Sequence, residues 1–263
     1  MDIIDYKIAI PSYKREDTFG KKTLAYLKEC NVPMEKIYLF VADEDEYNSY
    51  IKYQQMGINL IIGEHTLCNQ RNFITRYFKE GDFILCMDDD IDAIYKKIDD
   101  KKYEKLLDID SMCEQGFSSC IENGTKLWGI GAVLNSLFMS HKVSNDLKYI
   151  VGCTWGYIVD HSKELTITLE DKEDYERTLL YYDKFKSVVR LNFYAPKTNY
   201  YKEKGGMQET RTPQRVTESA YNLLERFPNY CKLNTAKKSK NTEIRLYHNP
   251  KKDLDINQTS LFS

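Results

Sequence analysis

The chain has 263 residues, 42% hydrophobic and 30% charged, with a net charge of −2 at pH 7. That balance suits a soluble globular protein that can bury a real core. Seven Cys with no CxxC pair argue against a zinc site or a disulfide framework. No run approaches the roughly 18–20 apolar residues of a membrane span, and Met1–Lys7 lacks the basic-then-apolar pattern of a secretory leader. A cytoplasmic protein with reduced thiols and no membrane partner is expected.

In chain order, Lys7–Ile10 reads as a strand stopped by Pro11-Ser12, and Thr23–Cys30 has helical spacing up to Asn31-Val32-Pro33. Lys36–Val41 is a second strand, followed by a polar turn or helix from Asp43 towards Gln55. Asn59–Gly63 is a third strand, and Asn69–Tyr77 a helix. Strands and helices alternating at this spacing predict parallel βαβ units, with right-handed crossovers, over residues 1–98. Beyond them Asp99–Cys120 reads as helix, Leu127–Val133 and Ile150–Asp160 as glycine-bearing strands, and Val188–Tyr194 as one further strand. Val216–Phe227 carries an apolar stripe and reads as the last helix.

The chemistry concentrates where Phe83-Ile84-Leu85-Cys86-Met87 runs into Asp88-Asp89-Asp90-Ile91-Asp92. A short apolar run introduced by Gly81-Asp82 reads as a buried parallel strand. Its carboxyl end lies in the crevice where open α/β sheets bind ligands. Carboxylates packed so closely repel one another unless a cation, solvent or a basic partner compensates them. Mg²⁺ or Mn²⁺ with a bridging phosphate is one solution; a solvated acidic helix cap is the plain alternative.

The strand and acidic triplet Ile84–Asp90 resemble the DxD segment of GT-A-fold glycosyltransferases, which use nucleotide-sugar donors. Two earlier stretches follow the same family order. Ile8–Arg15 is similar to the opening strand and nucleotide-holding loop, and His65–Asn72 to the segment with an Arg-Asn pair before the DxD strand. The resemblance implies an α/β GT-A architecture: a Rossmann-like, mixed but mainly parallel sheet flanked by helices. Its core would span 1–195, with a nucleotide-sugar half at 1–98 and an acceptor half at 99–195; 196–263 would complete the site. It implies donor contacts from Pro11, Ser12, Tyr13, Arg15, His65, Arg71, Asp88 and Asp89, and a divalent metal on Asp90, with Asp88 or Asp92 and a late His248. Trp155, Gly156 and Trp128 are expected on the acceptor side, the two Trp as stacking surfaces for a sugar or base, with burial in the core as the equal alternative for both.

A Glu-Asp pair at a helix start supplies the general base in inverting members. The pattern occurs twice, as Glu170-Asp171 and Glu173-Asp174. The second is preferred because a helix follows it directly, with Asp174 as base beside Glu173. An acid at a helix N-terminus also has a purely structural reason to be there.

The basic, glycine-bearing stretch Asn199–Arg215 is a candidate donor loop through Lys204, Arg211 or Arg215, with a plain surface loop as the alternative. From Pro196 onward 13 Lys/Arg stand against seven Asp/Glu, so this third carries +6 and the rest −8. That asymmetry suggests a polyanionic partner. The Lys172–Tyr175 and Gly205–Arg211 stretches resemble glycosyltransferases associated with TET-type dioxygenases in phages and base-J-producing organisms. That resemblance implies a hydroxymethylated pyrimidine in DNA as acceptor. A glycan or protein acceptor, a nucleotidyltransferase and a non-catalytic DNA-binding module remain open on the sequence.

Overall fold

A computed structural model of the chain describes residues 4–198, 211–235 and 242–248. It divides into two compact units, Met1–Thr210 and Arg211–Ser263.

The first unit opens with β1 (Tyr6–Pro11), α1 (Glu16–Lys21), α2 (Thr23–Glu29), β2 (Ile37–Val41), α3 (Glu44–Gln54), β3 (Asn59–Ile62), α4 (Leu67–Tyr77) and β4 (Phe83–Met87). Its four strands lie in the order β3-β2-β1-β4, all parallel. The inward apolar residues Ile8, Ile10, Leu39, Leu85 and Met87 are fully buried, as strands covered on both faces require. Asp43 caps α3 by accepting from the Glu46 N–H at 2.9 Å. The chain leaves β1 towards β2 on one side and returns to place β4 on the other. The strand order therefore reverses between β1 and β4, the point at which such sheets bind ligands.

The rest of this unit comprises β5 (Ile91–Lys97), β6 (Tyr103–Lys105), α5 (Ile109–Glu122), β7 (Leu127–Ile130), β8 (Val143–Ser144), β9 (Thr154–Ile158), α6 (Glu173–Phe185), β10 (Val189–Leu191) and β11 (Tyr194–Thr198). The main sheet continues β4-β9-β7-β10-β8, with β9 antiparallel to both β4 and β7. A second sheet of order β11-β5-β6 is antiparallel throughout.

Three local expectations need correction. The charged start of the expected Asp99–Cys120 helix forms β6, because it pairs with the open edge of β5; the Asp99 carboxylate turns the chain by accepting from the Lys101 and Lys102 N–H groups, both at 2.8 Å. The helix itself begins at Ile109, capped by Asp108. The expected Val188–Tyr194 strand is two strands in different sheets. Asn192 breaks it, its side chain donating to the Lys142 carbonyl and the Ser144 hydroxyl. The expected Ile150–Asp160 strand is regular only over Thr154–Ile158, and the residues before it form a loop.

Trp128 is fully buried between α5 and β9. It fits because both neighbours offer glycine: a Cβ would stand 2.3 Å from the indole at Gly116 and 2.2 Å at Gly156.

In the second unit, α7 (Pro213–Arg226) starts with Thr212 accepting from the Arg215 N–H and Pro213 in the first turn. It buries Val216, Ser219, Ala220 and Leu223, one helical stripe. β12 (Cys231–Leu233) and β13 (Ile244–Leu246) form an antiparallel pair. Among the described residues no helix is long and apolar enough to cross a membrane.

Candidate active site

The loops after β1 and β4 meet beside the switch point. Thr23 Oγ1 donates to the Asp88 carbonyl at 2.7 Å and accepts from the Ile91 N–H at 2.9 Å, which pins the acidic turn between β4 and β5. Asp89 points inward and is buried, accepting from Ser12 Oγ at 2.6 Å and Arg15 Nη1 at 3.1 Å. Because the one Ser12 hydroxyl proton goes to Asp89, the Tyr50 hydroxyl donates to Ser12 (2.8 Å); Tyr50 also accepts from the Arg15 N–H at 3.0 Å. Asp90 lies 3.4 Å from Arg15 Nη1 and accepts from Thr198 Oγ1 at 3.1 Å. Asp88 accepts from Arg71 Nη2 at 2.7 Å. Lys22 stands 3.6 Å from Asp92.

Charge repulsion in the triplet is thus relieved within the chain, by guanidinium groups from both flanking elements. Burial pushes the Asp89 carboxyl up to about 7, with Arg15 and Ser12 opposing. Asp90 is also raised, by burial and then by Asp88. Burial alone would lower Arg15, but Asp89 and its acidic neighbours outweigh it and hold the guanidinium charge more firmly.

A second cluster adjoins the first through Arg71. This buried guanidinium bonds Asp88 and the Gly152 carbonyl (3.1 Å), and its Nε lies 3.9 Å from Glu173 Oε1. Arg177, one helical turn beyond Glu173 on α6, brings Nη1 to 3.7 Å from the same oxygen. The Arg177 guanidinium carbon lies 3.7 Å from the Trp155 ring centre and that of Arg71 5.7 Å, so the indole lies against both cations. Burial raises the Glu173 carboxyl, with Arg177 the main opposing influence. Asp174 is half-buried; it accepts from the Tyr149 hydroxyl and, at 2.9 Å, from the Tyr175 N–H. Of the competing pair, Glu170 accepts from the Cys68 N–H at 3.2 Å, at the start of α4, and Asp171 is fully buried.

Ser12, Arg15, Arg71, Asp88, Asp89 and Asp90 therefore come together, with Glu173 linked to them through Arg71. Pro11 ends β1 in register with Phe40. Tyr13 sits beside Lys14 and edge-on to His65, which is exposed and 3.4 Å from Asp43. Two acceptor-side expectations change. Trp128 is core, and Gly156 serves to admit its indole. Trp155 is 4% exposed and packed against the arginines, with no face left for an acceptor. Arg211 and His248 belong to the second unit, where His248 lies beside Tyr230 with ring centres 6.0 Å apart. Lys204 lies outside the described residues.

Sequence reasoning missed Thr23, Tyr50, Tyr149, Arg177 and Thr198. Only Arg177 left a signal, its i,i+4 spacing from Glu173. Among the described residues no group of three or more His, Cys, Asp or Glu could hold a metal ion. Asp88 and Asp90 are nevertheless hard oxygen donors. Mg²⁺ characteristically takes one or two carboxylates with waters and substrate phosphates, so the pair fits a metal that arrives with a diphosphate better than a pre-built cage.

No protein-family model matches the chain, and no curated protein matches it in sequence. Solved structures do match in fold. Mannosyltransferase PcManGT from Pyrobaculum calidifontis, in complex with GDP-Man and Mn²⁺, superposes with a TM-score of 0.55 at 10% identity, over 85% of this chain and 64% of that one. S. aureus TarS (1–349) gives 0.51 at 14% identity, over 84% of this chain and 65% of that one. Its complex with UDP gives 0.50 at 16% over the same shares. The chain spans less than two thirds of the length of these proteins and shares their GT-A-type fold, with a mainly parallel sheet flanked by helices.

Proposed function

We propose that the chain is a metal-dependent glycosyltransferase that moves a sugar from a nucleotide-sugar donor to a hydroxyl acceptor. The observation that carries this reading is the pair of carboxylate clusters joined through Arg71, one of them at the sheet's switch point. The fold neighbours bound to UDP, and to GDP-Man with Mn²⁺, support it.

In this reading Asp88 and Asp90 hold a Mn²⁺ or Mg²⁺ ion. Such an ion supplies Lewis-acid neutralisation of charge on a departing diphosphate. Arg15 and Arg71 add fixed positive charge on either side of the same turn. Asp174 takes the proton of the acceptor hydroxyl as its oxygen attacks the anomeric carbon, and the bond from that carbon to the diphosphate oxygen breaks. Glu173, held between two guanidiniums, orients the first turn of α6.

As acceptor we infer a hydroxymethylated pyrimidine in DNA. The +6 charge from Pro196 onward supports contact with a phosphate backbone.

The test is release of nucleoside diphosphate from a panel of nucleotide sugars with Mn²⁺, with and without hydroxymethylated DNA. Release stimulated by that DNA alone is expected. Release indifferent to DNA redirects the acceptor to a glycan or protein. No release from any donor refutes the glycosyltransferase reading. Asp90→Ala is expected to abolish release in a folded protein, and full turnover by that variant would remove the metal assignment.

A further inference from the structure

We infer that Tyr149 is a positioning residue for the general base, a role that rests on reading Asp174 as that base. Tyr149 lies in the loop before β9, 25 residues from Asp174, and its hydroxyl donates to Asp174 Oδ2. Its ring stacks on Tyr175, with centroids 4.4 Å apart and planes 26° apart, so the donor cannot swing freely. The other carboxylate oxygen accepts from the Tyr175 N–H. Each oxygen thus has one donor and keeps a lone pair for an incoming hydroxyl.

The third wall is Gly152. A Cβ there would lie 3.3 Å from Asp174 Cβ and Oδ2 and 3.3 Å from Glu173 Oε1. A side chain there would press on both carboxylates, so glycine lets the loop pack close to them without displacing either. Burial, and next the Asp174 charge, push the Tyr149 hydroxyl well above its ordinary value, so it remains a donor throughout the working pH range. A neutral donor to the charged carboxylate favours the anion and fixes which lone pair faces the cleft.

The experiment measures sugar transfer across the pH range in which the protein stays folded, into the acid region where carboxylates titrate, for the wild type, Tyr149→Phe and Asp174→Asn. Phenylalanine keeps the stack and removes only the hydroxyl. About a tenfold loss of kcat, an unchanged KM for the donor and an acid limb displaced upward are expected, because the anionic base loses a donor. A purely structural tyrosine would leave the acid limb where it is. Placing 3,5-difluorotyrosine at position 149, a stronger donor, should move the limb downward, and this variant decides the matter if Tyr149→Phe melts early.

A wild-type pH profile in both Tyr149 variants, with Asp174→Asn inactive, overturns the positioning role and leaves the base intact. Full turnover by Asp174→Asn refutes the base itself, and the role of Tyr149 falls with it.

Discussion

Arg15 holds Asp89 and Asp90 at 3.1 and 3.4 Å in the free chain, so a cation that takes Asp90 must displace part of that guanidinium's contact. A hydrogen bond to a charged group contributes about 1.5–3 kcal/mol net. The Arg15–Asp90 contact is the longer of the two and Asp90 is slightly exposed, so the low end applies. Losing about 1.5 kcal/mol corresponds to roughly tenfold in affinity. Arg15→Gln should therefore bind Mn²⁺ alone about ten times more tightly than the wild type. It should bind nucleoside diphosphate more weakly, because a phosphate partner has gone. Mn²⁺ electron paramagnetic resonance titration, with and without nucleoside diphosphate, reads both effects without turnover. Unchanged or weaker Mn²⁺ binding by the variant would show that Arg15 does not compete for the acidic turn.

Gly156→Ala puts a methyl 2.2 Å from the Trp128 Nε1 in a fully buried site, which should cost about 1–3 kcal/mol by overpacking. Thermal melting tests this, and an unchanged Tm would mean the indole has room to move. Asp160 provides a pH prediction. Burial opposes its charge, but Ser162 and Lys126, at 2.9 Å from a carboxylate oxygen, outweigh it and hold the carboxyl below its ordinary value. A depressed folded value means this stability is present above the unfolded value of about 3.9 and is lost as pH falls through the folded one. The Tm gap between wild type and Asp160→Asn should be constant from pH 7 to 5 and shrink in stronger acid; a gap constant down to pH 2 would exclude the linkage.

The parallel βαβ half, the acidic turn after a buried strand and the carboxylates opening α6 could all be read from the linear sequence. These depend on hydrophobic period, turn residues and helix starts within a dozen positions, where local sterics dominate. Partners could not be read this way. Whether the triplet meets a cation or an arginine depends on Arg15 and Thr198, 75 and 108 residues from Asp90. The tyrosine that holds Asp174, the glycines that admit Trp128 and the insertion of antiparallel β9 between β4 and β7 are of the same kind. Trp155 stayed open between a ligand-stacking and a core role because nothing adjacent in sequence shows the two cations packed against it. Such contacts follow from how whole elements bury their surfaces together, and no local stretch of the chain carries them.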